Sequence, residues 1–293
     1  MNNSPAKRTM ASRIEPFSYR LPRPAVEVYP GAHPGQMVGN GQLFKRHEAL
    51  LARPDPRRLD LRASVLDPFG QYRVRAYQEH DRVEVMVLAD LSASLAYAGR
   101  FDKREVLADL VKAIAASALA CGDRVGFAGF GDGEKPLLYA PPGTDLSWLP
   151  SLSGLLKKLP QQRGCAGLWQ AGAYLPQRRA LLFLLGDGHW PLARLPGLLA
   201  TLGRHQPVPL LIWDEAEYRG LPDWGLLALQ DLESGRRRRL WLRPALKRRI
   251  EQAYSARREQ LRRLFRAAGC EPMFIEQGYR VEQFNRYFLE RTA

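Results

Sequence analysis

Residues 83–94 read V-E-V-M-V-L-A-D-L-S-A-S, an almost unbroken apolar run that stops at Asp90 and continues with hydroxyls at alternate positions. A short run of this kind, rich in valine, predicts a strand buried on both faces that delivers Asp90, Ser92 and Ser94 to a loop at its end. A second apolar run, 180–185, ends in Gly186-Asp187-Gly188. Between the two the period changes. Positions 103–120 carry apolar residues at helical spacing and close on Cys121-Gly122-Asp123, with Gly122 where a C-cap glycine belongs, and 124–130 returns to a strand pattern. Residues 137–139 read as a short edge strand, 147–159, 168–175 and 191–202 as helices, and 209–213 as a buried strand.

Strands separated by helices imply parallel pairing through right-handed crossovers. The predicted fold class is therefore α/β, a doubly wound, mostly parallel sheet with helices on both faces. The first 80 residues differ in character: Pro and Gly are frequent over 16–41, and strand-like pieces occur at 26–29 and 72–77. They predict a small β-rich lead-in subdomain over 1–80, ahead of the α/β domain over 81–293. Within that domain 226–230 and 238–242 flank Ser234-Gly235, a hairpin signature. A long helix starts at Pro244 with Leu246, Ile250, Ala253, Leu261, Leu264 and Phe265 on one face. Residues 273–275 and 281–289 predict a last strand and helix.

Charge adds a second feature. The formal net charge is +14, and the segment from Gly235 to Ala268 holds thirteen Arg or Lys against two Glu, so most of the excess is local. A basic segment of this density points to nucleic acid, an anionic surface or an acidic protein face. Its aromatics are Trp241, Tyr254 and Phe265, and the last two fall near the apolar face, so no platform for base stacking is evident. Nucleic-acid binding stands as the alternative to a solvated face or a protein-docking surface. No apolar stretch reaches the ~18 residues of a bilayer span and residues 1–13 lack an apolar signal core, so a cytoplasmic protein is expected. Cys121, Cys165 and Cys270 are odd in number and widely spaced, which argues against a disulfide framework or a zinc site.

The candidate chemistry lies at the strand ends. Asp90, Ser92 and Ser94 offer a carboxylate and two hydroxyls, hard donors suited to Mg2+ or Mn2+ and too few to fill six positions, so water or a partner's carboxylate would complete the shell. Asp187 reaches the same edge if the two strands are neighbours. The plainer reading is that Ser92 and Ser94 cap the following helix and that Asp90 accepts the same backbone N–H groups. His189, beside Asp187, reads as a solvated side chain. A Mg2+-dependent phosphatase with Asp90 as nucleophile is a weaker alternative, because that chemistry wants a second Asp two residues on, where Ser92 stands. No phosphate loop, dinucleotide fingerprint, nucleophile elbow or H-E-x-x-H occurs.

Three motifs together, D-L-S-A-S at 90–94, G-D-R-V-G-F at 122–127 and G-D-G at 186–188, resemble a von Willebrand factor A domain with a metal-ion-dependent adhesion site. The stretches P-D-P-R-R-L-D-L-R-A-S at 54–64, D-L-E-S-G-R-R-R-R-L-W-L-R-P at 231–244 and R-Y-F at 286–288 are similar to a bacterial family of such domains of formally unknown function, its MxaS-like members associated with MoxR-type AAA+ ATPases. The resemblance implies a non-enzymatic, metal-dependent protein-binding module that acts with a MoxR-type ATPase on a client protein in metalloenzyme maturation or complex assembly. It implies Asp90, Ser92 and Ser94 as the first metal loop and Asp187 as the last. The middle loop departs from the pattern: Gly164-Cys165-Ala166-Gly167 has no hydroxyl where the family pattern has a Thr, and Thr144 lies too early to replace it. Mg2+ or Mn2+ is accordingly expected to bind weakly.

Overall fold

The computed structural model describes residues 14–19, 30–39, 43–52, 54–160, 162–230 and 237–292. Strands β1 (Pro30–Gly39) and β2 (Leu43–Ala49), helix α1 (Leu61–Val65) and strand β3 (Arg73–Asp81) come first, and β1 and β2 flank β3 in a three-stranded antiparallel sheet. The α/β series then runs β4 (Glu84–Asp90), α2 (Lys103–Ala120), β5 (Arg124–Phe130), β6 (Pro136–Gly143), α3 (Leu152–Lys158), β7 (Leu181–Gly186), α4 (Leu195–Leu202) and β8 (Gln206–Ile212). A hairpin of β9 (Gly225–Gln230) and β10 (Arg237–Leu242) leads into α5 (Pro244–Ala267), and β11 (Met273–Ile275) and α6 (Val281–Thr292) complete the chain.

The main sheet has the order β11-β8-β7-β4-β5-β6, parallel throughout except for β6, which pairs antiparallel at one edge. Both faces are covered, which is why its strands read as continuous apolar runs. Val85, Val87 and Ala89 of β4 enter a core with α2, α3 and α6, while Met86 and Leu88 enter a second core with α4, the 3-10 segment Ala166–Tyr174 and the Leu261 and Phe265 end of α5. This is the doubly wound arrangement expected from the sequence.

Several boundaries differ for local reasons. The helix expected over 168–175 is a 3-10 segment, with Gly167 and Gly172 inside it and the Gly133 carbonyl pressed where a Cβ at Gly167 would sit. The helix expected from residue 191 begins at Leu195, because Pro196 stands in its first turn and cannot continue a helix from upstream. The one expected from 147 begins at Leu152. β8 starts earlier than expected and includes Pro207 and Pro209; β11 pairs only with Leu210 to Ile212, so the proline stretch has an edge on that side, where proline is tolerated. In α5 Ala253 is exposed, and Tyr254 takes its place on the inner face by stacking on Tyr218 at 4.6 Å.

Residues 14–19, which the sequence groups with the lead-in, sit in the α/β core. Phe17 is 3% exposed and stacks on Phe288 at 5.6 Å, its N–H donates to Ser117 Oγ at 2.9 Å, and the Tyr19 hydroxyl donates to buried Asp123. The strand expected at 26–29 and the turn at Ser234-Gly235 lie outside the described residues. No helix among the described residues is long and apolar enough to cross a membrane.

Candidate functional site

From β4 the chain winds outward to β5 and β6 on one side, and later to β7, β8 and β11 on the other. The crossover direction therefore reverses between β4 and β7, and in open α/β sheets that reversal opens a crevice at the carboxyl ends of the strands. Ala89 is level with Leu185 in the parallel register, so Asp90 and Asp187 emerge on adjoining loops. Both are buried, each 1% exposed.

Asp90 is held by donors on both oxygens. Its Oδ1 accepts the Ser92 backbone N–H at 2.8 Å, and its Oδ2 accepts the Trp190 indole N–H at 2.6 Å. Trp190 reaches it because residue 186 is glycine, a Cβ there being driven into the indole ring. Burial, and then the neighbouring Asp187 charge, push the Asp90 carboxyl up to about 6. The Ser92 and Ser94 hydroxyls lie 3.0 Å apart, and Ser94 is among the groups that help hold the Asp187 carboxyl down. The four residues singled out from the sequence are thus brought together at one edge.

The capping alternative does not describe the serines. Ser92 precedes the 3-10 turn Ala93–Ala96, but its hydroxyl makes no cap bond, and the N-cap of α2 is Asp102, whose carboxylate accepts from Arg104 N at 2.8 Å and Glu105 N at 3.3 Å. Asp90 does accept a backbone N–H, as that reading required.

Around Asp187 the structure adds residues that sequence patterns did not single out. Asp187 Oδ1 accepts the His189 N–H at 3.2 Å, and Oδ2 accepts from Lys103 Nζ at 3.1 Å. Lys103 is 1% exposed and also pairs with Glu217, whose Oε2 lies 3.0 Å from His189 Nε2. His189 is therefore tied to Glu217 rather than simply solvated. Burial acts to raise the Asp187 carboxyl, but His189 and the Lys103 ammonium outweigh it and hold the group below the usual carboxylate range. Burial likewise acts to lower the Lys103 ammonium, and Asp187 and Glu217 reverse that, keeping it charged. From α5, Arg257 donates to the Gly188 carbonyl at 2.7 Å and to the Trp190 carbonyl, clamping the loop that carries Asp187. Gly188 has φ +76°, which a side chain rarely adopts, and Leu261 fills the space a Cβ would need. The middle loop contributes the Gln162 carbonyl, which accepts the Ala93 N–H at 2.9 Å, and places Cys165 in the core.

One sequence signal could have marked Lys103: a lysine at the first position of an apolar helix, where the helix dipole disfavours a cation unless carboxylates meet it. Glu217 and Arg257 carry no such signal, since only the sheet order brings them here.

The donor set fits a small hard cation in kind. Two carboxylates and two hydroxyls converge, and each carboxylate oxygen engaged by one N–H keeps a second lone pair. Among the described residues no group of three or more His, Cys, Asp or Glu is placed to hold a metal, so an ion here depends on the serine hydroxyls.

Sequence comparison finds the uncharacterized protein Rv1480 of Mycobacterium tuberculosis, 26% identical over 262 residues, which cover 83% of this chain and 77% of that protein. The uncharacterized protein Mb1516 of Mycobacterium bovis matches equally. Among solved structures, BatB of Bacteroides thetaiotaomicron overlaps 71% of this chain and 98% of its own at 13% identity with a TM-score of 0.40. The SpRpn10 VWA domain overlaps 70% of this chain and 95% of its own at 14% identity with a TM-score of 0.43. Neither overlap is close enough to carry an argument about the site. Residues 56–260, which include both acidic loops and most of α5, match the family described as protein of unknown function DUF58, and the chain belongs to that family.

Proposed function

We propose that this protein is a non-enzymatic protein-binding module whose partner-facing site is the carboxyl edge of β4 and β7. In this reading Asp90, Ser92, Ser94 and Asp187 hold one Mg2+ or Mn2+ weakly, and the bound ion offers an open position to a carboxylate on the partner. The observation that carries the reading is the convergence of those four oxygen-bearing side chains at the switch point of the sheet, with Asp90 and Asp187 buried side by side. The MxaS-like resemblance supplies the partner class: a MoxR-type AAA+ ATPase, with a client protein undergoing metalloenzyme maturation or assembly.

The basic helix supports a second contact with an acidic protein face, but its arginines are not equivalent. Arg257 clamps the acidic loop, and Arg258 pairs with Glu276 and lies over the Phe274 ring, 4.3 Å from its centroid. Arg262 pairs with Glu259 at 3.2 Å. Arg248 and Arg249 are exposed on the first half of α5. This internal use of arginines weighs against the nucleic-acid alternative, which needs them turned to phosphates. The phosphatase alternative finds no support either, since Ser92 occupies the acid–base position and its hydroxyl faces Ser94.

The test is capture of the MoxR-type ATPase from the same cells by the tagged full chain, with EDTA or Mg2+, across a salt series. Capture is expected to fall with EDTA, to return with Mg2+ and to be lost in Asp90→Ala. Arg248→Glu with Arg249→Glu should instead remove the salt sensitivity, because screening acts on exposed charges over about 8 Å at physiological ionic strength. Capture indifferent to both EDTA and Asp90→Ala overturns the metal-dependent reading, and nucleic-acid binding lost in the arginine variant with capture intact restores the alternative.

A further inference from the structure

Lys103 is the least expected residue at this edge. It stands at the first position of α2, where the helix presents its own positive end, and it is 1% exposed, so neither the helix nor solvation accounts for a cation there. What accounts for it is the pair of carboxylates it meets. Its Nζ lies 3.1 Å from Asp187 Oδ2, pairs with Glu217, and sits 5.7 Å from the centroid of the Tyr97 ring. Asp187 is the only donor of the four on the far side of the switch point from Asp90, Ser92 and Ser94. A divalent cation bridging the two loops must share that carboxylate with an ammonium already in contact with it, and like charges in a buried site repel strongly. Glu217, outside the four-donor set, provides a second anchor to which the ammonium can be confined.

From this arrangement, and resting on the metal reading above, we infer that Lys103 is a tethered competitor of the metal. It neutralises Asp187 while no ion is bound and withdraws onto Glu217 when a divalent cation enters, so that it, together with the missing middle-loop hydroxyl, sets the affinity low. Removing the ammonium therefore tightens metal binding, whereas a change that keeps the positive charge does not.

The experiment is Mn2+ binding to the full chain, followed by the paramagnetic resonance of free Mn2+ and by calorimetry. The proteins are wild type, Lys103→Met, Lys103→Arg and the double variant Lys103→Met/Glu217→Gln, each with and without Asp90→Asn. Circular dichroism checks folding; the double variant removes one of the two carboxylates that Lys103→Met leaves without a counter-ion, and it decides the matter if the single variant does not fold. Lys103→Met or the double variant is expected to bind Mn2+ at least tenfold more tightly than wild type, Lys103→Arg no more tightly, and Asp90→Asn to abolish the gain. In the unmutated protein the Lys103 ammonium resonance is expected to shift as Mg2+ is added. Wild-type binding that neither variant improves, or metal uptake at Asp90 that leaves the Lys103 resonance unmoved, overturns the role of Lys103 and leaves the metal reading standing. No binding by any protein at millimolar Mn2+ overturns both. Binding by the variants but not by wild type upholds the role of Lys103 and removes metal dependence from the native protein.

Discussion

The hydrogen bond from Trp190 to Asp90 gives the sharpest measure of how this edge is held. Replacing Trp190 by Phe keeps an aromatic ring in the buried slot above Gly186 and deletes the N–H that donates to Asp90 Oδ2 at 2.6 Å. A hydrogen bond to a buried charged acceptor is worth roughly 1.5–3 kcal/mol, and its loss leaves the buried carboxylate with one donor fewer. The smaller ring adds a cavity cost of about 1 kcal/mol. The total expected is about 3 kcal/mol, measured by urea unfolding in EDTA at neutral pH and followed by far-ultraviolet circular dichroism. The two contributions separate in an Asp90→Leu background, where no carboxylate remains to lose a donor. There Trp190→Phe costs the cavity, about 1 kcal/mol, less what is regained by removing an indole N–H that Asp90→Leu has left without its acceptor, so the coupling between the two positions should be at least about 2 kcal/mol. A coupling below about 0.5 kcal/mol would falsify the claim that the indole N–H stabilises a charged Asp90.

Gly186→Ala should destabilise by roughly 1–3 kcal/mol, because the added methyl meets the Trp190 ring in a filled core; unchanged unfolding midpoints would show that the ring can move aside freely. His205 is 2% exposed and accepts the Ala180 N–H on Nδ1 at 3.2 Å, and burial, then Arg204 and Arg179, lower its pKa to about 4. Because the unfolded chain binds this proton from about pH 6.5 downward and the folded chain only near 4, stability should be complete above that window and decline as pH falls through it, by at most about 3 kcal/mol. The difference between wild type and His205→Asn in urea unfolding, measured from pH 7 to pH 4.5, should shrink accordingly, and a constant difference refutes it. Burial pushes the Cys270 thiol up to about 11, and Cys165 is 8% exposed, whereas Cys121 is partly exposed. A thiol reagent should therefore modify one cysteine per native chain, and rapid reaction of all three without denaturant would contradict the packing.

The apolar runs and helical spacing between residues 83 and 213 were enough to predict β4, α2, β5, β7 and β8, because a strand buried on both faces and a helix with one apolar face each leave a local period. For the same reason Asp90, Ser92, Ser94 and Asp187 were legible: each follows directly on the end of such a run. The first turn of α4 and the 3-10 form of 166–174 were less so, since they turn on Pro196 and on the approach of Gly133, which is a contact between loops. The chemistry that surrounds the four candidates was not legible. Lys103 meets Asp187 across 84 positions, and Trp190 meets Asp90 across 100. Periodicity reports which way a side chain faces within its own element, whereas the partner of a buried charge is decided by which strands lie side by side. Here the reversal of winding between β4 and β7 is what sets an ammonium, an indole and two carboxylates together at one buried edge.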